Sequence, residues 1–306
     1  MSESGETWIR VPLGAEAKKP WRKRHPLLFV FGVLLLLSAV FGAGKMVGEG
    51  TAFKANIAVV NIEGLIMDSG KIVAFIDEII VDSNVKGAVV RIVSPGGGVG
   101  ASQEIFAAVK RLSLVKPTAA SMGAVAASGG YYAALGTQRI FAGPSTVTGS
   151  IGVKMQVPNL EGLLRTIGVA EKTLTTGGLK DAGNISRPMS PEEEAYLRSL
   201  LADMYEEFIK TVANERELEM DKVLKAADGR ALTGRQALAL GLVDELGDFH
   251  VALRYIQSQC GLAGDEYKLL PGPKKKDSLF ADLMDSLLNI ALEKNRGLTD
   301  IRFMYE

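Results

Sequence analysis

The stretch GAVVRIVSPGGGVGASQEIFAAVKRL, residues 87–112, constrains the fold more than any other segment. GAVVRIV, rich in β-branched apolar residues, reads as a buried strand. Ser94-Pro95-Gly96-Gly97-Gly98 follows as a turn, and ASQEIFAAVKRL then places apolar residues at helical spacing. Similar pieces lie on either side. NIAVVNIEGLI predicts a strand and KIVAFIDEIIVD a helix; PTAASM, QRIFAG, IGVKMQV and EKTLTT predict further strands, and AVAASGGYYAAL, residues 124–135, starts another helix. Ser190-Pro191-Glu192-Glu193-Glu194 is a helix start, and the chain reads as helical from there to about Ala227. GRQALALGLVDELGD adds a short helix ending at Gly241 and the strand-like LVDEL. Strands alternating with helices define an α/β domain.

The 306 residues are enough for one such domain with appendages. Leu27–Gly44 carries no charge, and as a helix it reaches roughly 27 Å, enough to cross a bilayer. Lys18, Lys19, Arg22, Lys23 and Arg24 precede it and place residues 1–26 in the cytoplasm, with the remainder on the extracytoplasmic (periplasmic) side. Gly42, Ala43 and Gly44 are small, as at a signal-peptide cleavage site, but the apolar run exceeds an h-region and no A-x-A follows, so a retained anchor is expected over 27–44. The α/β domain then occupies 55–260, and 271–306 is read as a linker, from Pro271, and an amphipathic tail. Leu279, Phe280, Leu283, Met284, Leu287 and Leu288 form its stripe, suited to docking on the domain, on another copy, or on a membrane surface.

Several function classes fall away. Lys plus Arg and Asp plus Glu number 35 each, so no basic field favours nucleic acid. One cysteine and two histidines give neither a disulfide nor an ordinary metal site, so no metal and no cofactor is expected. Gly42-Ala43-Gly44-Lys45 lacks the Ser or Thr of a phosphate loop. Gly96, Gly98 and Ala101 fit G-x-G-x-x-A, yet no acid occurs between Glu104 and Glu161 to hold a ribose.

What remains is Ser128, set among small residues and followed by Gly-Gly-Tyr-Tyr. A serine hydroxyl becomes a useful nucleophile only when a base removes its proton. His25 lies in the basic flank and His250 in a helical surface context, so neither suits. A neutral lysine is the alternative base. An ordinary lysine, with pKa near 10.4, needs a downward shift of about three units, roughly 4 kcal/mol, and therefore an apolar setting without a close carboxylate. The acid-free segment around Ser128 meets that condition. Lys110 and Lys116 flank a helix end and are expected to face solvent, and Lys154 to point outward from a strand. Lys180 lies in the glycine-rich Thr176-Gly177-Gly178-Leu179-Lys180, although Asp181 adjoins it; the residues alone leave the choice between Lys180 and the other lysines open. Acyl transfer also requires oxyanion donors, which the Gly96-Gly97-Gly98 turn and the Gly129 amide can supply.

SPGGG, ASGGYY, TVTGSIGV, GGLKD, MSPEEE and ADGRALTGRQALALGLVDELG, in this order from about Ala55 to Gln259, resemble the bacterial signal peptide peptidase A family of membrane-anchored Ser-Lys proteases. The resemblance implies a Clp protease/crotonase-like fold of repeated ββα units. It implies Ser128 as nucleophile, Lys180 as general base, Ser150 as the residue orienting that base, and the turn at Gly96 and Gly97 as oxyanion hole. It also implies a single-domain form whose dyad is shared between neighbouring protomers of a homo-oligomer, with remnant signal peptides as substrates at the lipid bilayer. Competing readings are an acyl-CoA enzyme on the same fold, which would usually carry a carboxylate in its site, and a membrane scaffold in which Ser128 only packs.

Overall fold

The structure is a computed structural model that describes residues 57–262 and 267–273. β1 (Ile57–Glu63), α1 (Gly70–Val81), β2 (Gly87–Ser94), α2 (Val99–Ser113) and β3 (Thr118–Ala127) succeed one another, and the three strands pair in parallel. Ile57 stands opposite Gly87, and Ala88 opposite Thr118. The other edge of β3 divides between two strands. Its Ala119–Met122 part pairs with β4 (Arg139–Ala142), and its Val125–Ala127 part with β5 (Val147–Gly149). Farther out, β4 takes β7 (Glu245–Leu246) in parallel and β5 takes β6 (Ala231–Thr233) antiparallel.

This division is possible because the β2–β3 register slips between Ile92 and Ser94. Gly123 lies in the slip, where a Cβ would stand 2.7 Å from Cγ2 of Val93. A bridge between Ile66 and Gly97 carries the pairing of the first two strands past their main registers. A strand, a short second pairing segment and a helix therefore recur.

Side-chain alternation sends each strand's residues to two faces, which is why the runs read as continuously apolar. Ala58, Val60, Ile62, Val90 and Ile92 face α1 and α2, whose Ile76, Ile79, Ile105, Val109 and Leu112 are buried with them. Ile57, Val89, Ala119 and Phe141 face the opposite way, onto Ala252, Leu253 and Ile256 of α8 (Phe249–Gln259). Along the chain between α2 and α8 come α3 (Gly129–Ala134), α4 (Glu161–Thr166), α5 (Pro191–Arg216), α6 (Met220–Ala226) and α7 (Gly234–Ala239).

The differences from the sequence reading have local causes. β3 continues to Ala127, so the helix expected within residues 124–135 begins only at Gly129. IGVKMQV and EKTLTT form no strands: strand propensity needs a pairing edge, and residues 152–190 contribute no buried residue. The long helix ends at Arg216, because Glu217 adopts a left-handed conformation and the Leu218 amide turns back to the Ala213 carbonyl at 3.0 Å. Pro271 and Gly272 belong to β8 (Leu269–Gly272), parallel to β1, so the linker does not begin at Pro271. β8 is an edge strand, where proline's missing N–H costs no ladder bond. The anchor, the basic flank and the amphipathic stripe lie outside the described residues. Among the described residues, no helix is long and apolar enough to cross a membrane.

Candidate active site

Ser128 stands where β3 becomes α3, at φ 52° and ψ −120°. Its amide donates to the Gly149 carbonyl at 2.9 Å, continuing the β3–β5 pairing, and its carbonyl accepts from the Tyr132 amide at 2.9 Å. The two tyrosines fix the short helix that follows. Tyr131 donates its hydroxyl to the Leu242 carbonyl at 2.9 Å, and Tyr132 shares a 2.9 Å hydrogen bond with the Thr211 hydroxyl. The Tyr132 ring lies between Phe106 and Phe208, with centroids 5.2 and 4.9 Å away. Burial pushes the Tyr131 phenol well above its ordinary pKa, so it serves as a neutral anchor. A non-glycine residue at positive φ costs of order 1–3 kcal/mol and persists only where its surroundings over-determine it, as these do.

The glycine turn lies against this corner. The Gly96 amide donates to Oγ of buried Ser94 at 3.1 Å, and the Gly98 amide to the Ile66 carbonyl at 2.7 Å. The Gly97 amide between them, and the Gly129 amide opening α3, donate to no acceptor among the described residues. They are close together. A Cβ on Gly129 would lie 3.3 Å from the Gly97 nitrogen, and one on Gly96 2.7 Å from the Gly129 nitrogen. Of the three glycines expected as donors, Gly97 and Gly129 therefore present open amides, whereas Gly96 has committed its own and shapes the turn at φ 100°.

A cleft opens over these groups, with Val99, Gln103, Val153, Met204 and Phe208 among its walls. Among the described residues, no lysine, histidine or carboxylate lines it. Ser150 follows Gly149, the acceptor of the Ser128 amide, and is itself at φ 48°; its amide is held by the Arg230 carbonyl at 2.9 Å, while its hydroxyl bonds to none of the described residues. Lys180 is elsewhere. It is exposed on a turn closed by its own amide on the Gly177 carbonyl at 3.1 Å. A Cβ on Gly177 or Gly178 would meet nothing within 4 Å, so this glycine pair makes no close approach within the chain.

The other basic candidates are committed or remote. Lys110 is ion-paired with Glu215 at 2.5 Å. Lys116, expected at the surface, is half-buried with its ammonium on the Asp82 and Val85 carbonyls at 2.6 and 2.8 Å, and burial lowers its pKa, yet it does not line the cleft. Lys154 and His250 are exposed. Sequence reasoning missed Ser94 and Ser102. Ser102 donates its hydroxyl to the Gly98 carbonyl at 2.9 Å and stands 2.2 Å from where a Cβ on Gly129 would be; nothing in the sequence distinguishes either serine from a packing residue. Among the described residues, no group of His, Cys, Asp or Glu could hold a metal ion.

A serine at a strained strand end, beside two uncommitted amides in an apolar cleft on an α/β scaffold, defines a class: proteins equipped to stabilise an oxyanion next to a hydroxyl. The family model for peptidase family S49 matches residues 110–263, and the chain belongs to that family. It is 34% identical over 236 residues to a putative protease of Methanocaldococcus jannaschii, covering 77% of this chain and 70% of that one. A putative protease of Synechocystis is 46% identical over 180 residues, 59% of this chain and 65% of the relative. Protease 4 of Salmonella typhi is 39% identical over 173 residues, which is 56% of this chain but only 28% of the relative.

Proposed function

We propose that this protein is a membrane-anchored serine endopeptidase in which Ser128 is the nucleophile and Lys180 of a neighbouring protomer is the base. The observation that carries the reading is the half-built site: among the described residues, oxyanion donors surround Ser128 and no lysine, histidine or carboxylate lines its cleft, while Lys180 sits on an exposed arm without an ion-pair partner. Ser128 Oγ attacks the scissile carbonyl carbon as its proton passes to Lys180 Nζ. The new oxyanion takes hydrogen bonds from the Gly97 and Gly129 amides. Collapse breaks the C–N bond, and the leaving amine takes the proton from the lysine ammonium. Water, deprotonated by the same lysine, then attacks the acyl carbon; the bond to Ser128 Oγ breaks, and the lysine ammonium returns the proton to that oxygen. Ser150, beside the nucleophile, orients the incoming Nζ.

Apolar walls suit hydrophobic peptides, and an anchor at 27–44 would hold the site near the bilayer. The substrates proposed are signal peptides left in the membrane after their cleavage. An E. faecium relative, 34% identical over 227 residues, is described as a putative signal peptide peptidase. An acyl-CoA enzyme on this scaffold would usually carry a carboxylate in its site, and none of the described residues lining the cleft is one.

Mixing Ser128→Ala chains with Lys180→Ala chains tests the shared dyad. In a randomly mixed ring about a quarter of the interfaces pair an intact serine with an intact lysine, so a corresponding share of wild-type activity is expected. Mixed oligomers, verified by mass, that recover no peptidase activity would refute the arrangement.

A further inference from the structure

Asp181, next to the proposed base, belongs to a network that the proposed chemistry does not explain. Asn184 donates its amide nitrogen to both carboxylate oxygens of Asp181, at 3.0 and 3.1 Å. Arg187 donates Nη2 and Nε to Oδ2 of the same carboxylate, at 2.9 and 3.3 Å, and Nη2 also reaches the Asp181 backbone carbonyl at 3.3 Å. The guanidinium then spans to α5, where Nη1 and Nη2 meet the Glu193 carboxylate at 2.9 and 2.5 Å. Glu193 is buried and accepts from the Ser190 amide at 2.8 Å, closing the capping box that starts the helix. Two carboxylates thus share one arginine, and Lys180 forms no ion pair with the acid beside it.

We propose that Arg187 is a positioning residue for the Ser-Lys chemistry: it draws the Asp181 carboxylate away from Lys180 and ties the lysine turn to the first turn of α5. The inference rests on Lys180 being the base. A carboxylate released beside a lysine favours the ammonium form, which cannot accept a proton from serine. The arginine occupies that carboxylate, so it is not left free beside the lysine. Other charged groups facing Asp181 across the adjoining cavity are Glu161 and Arg165, paired with each other at 2.6 Å, and Glu171, which accepts from Thr173 at 3.3 Å. The Glu193 carboxyl, held by Arg187 first and by the Ser190 amide next, sits at about 2 and stays ionised through the working range.

The test is the pH profile of kcat/KM on a hydrophobic peptide for the wild type, Arg187→Met, Asp181→Asn and the double variant. Activity that requires a neutral lysine rises with pH. Arg187→Met should move that rising limb up by about one pH unit, and Asp181→Asn in the same chain should bring it back. An equal loss at every pH with the limb unmoved would overturn the proposal, as would a displacement that Asp181→Asn does not reverse. Should Arg187→Met fail to fold, Arg187→Lys carries the test: a smaller upward displacement, abolished by Asp181→Asn, is expected, and no displacement overturns it. Lys180→Ala separates the two levels. Retained activity in that variant defeats the dyad itself, whereas an inactive Lys180→Ala beside an unmoved Arg187→Met limb defeats only the role of Arg187.

Discussion

Ser128, Ser150 and Glu217 are the non-glycine residues at positive φ among those described, and two of them, Ser128 and Ser150, each follow the last pair of the β3–β5 register, Ala127 and Gly149. Strain gathered at one corner argues that the corner is held for its geometry. Ser94 is part of that hold. Ser94→Ala leaves the Gly96 amide buried without an acceptor, at a cost of about 1–3 kcal/mol. The turn carrying the Gly97 amide should then loosen, so kcat should fall with KM little changed in steady-state kinetics; an unchanged kcat would show that the turn needs no such support. Gly129→Ala is more severe, because its Cβ would stand 2.2 Å from Ser102 Oγ and displace an oxyanion donor. A loss in kcat of about 10²- to 10³-fold is expected. Ser128 could be singled out from its uncharged surroundings. Which glycine amide is open could not, because that depends on Ser94 and Ile66 having already claimed the neighbouring two.

At the scale of elements, α5 shows how much local chemistry a short stretch can carry. Ser190, Pro191 and Glu193 announce its start, and the capping box forms as their spacing requires. The sequence does not show that Glu193 also pairs with Arg187. Its depressed pKa, about 2 instead of the ordinary 4.3 or so, has a definite consequence for stability. The contribution is fully present above the ordinary value and is lost as pH falls from there through 2. Glu193→Gln keeps a capping amide oxygen but not the charge. Its thermal midpoint should lie below wild type at pH 7, and the gap should close between about pH 5 and pH 2 in a melting series. A gap that stays constant across that range would mean the ion pair contributes nothing. IGVKMQV and EKTLTT teach the reverse lesson, since both have strand-like composition and neither finds a strand to pair with.

The described residues divide into a well-buried sheet with its helices and the segment 152–190, which holds the proposed base and buries none of its residues. Leu163, Ile167 and Leu174 are 58, 62 and 83% exposed there. Apolar side chains left uncovered on a segment that bears Lys180 suit an interface between copies. Leu163→Ser with Ile167→Ser should lower the assembled fraction in sedimentation and reduce peptidase activity in proportion, while the far-UV spectrum stays native. Full activity from a monomeric variant would place the base within one chain. By itself the sequence determined the α/β class, the buried central strands, the Ser190 cap of α5 and the serine that stands out, because each follows from periodicity and local hydrogen bonding that a short window contains. Only the tertiary structure decided where β3 divides, which amides face the cleft, that Arg187 holds Asp181, and that Lys180 lies outside the Ser128 cleft. Those outcomes depend on contacts between residues far apart in the chain, and no local pattern encodes which distant donor will reach a given acceptor first.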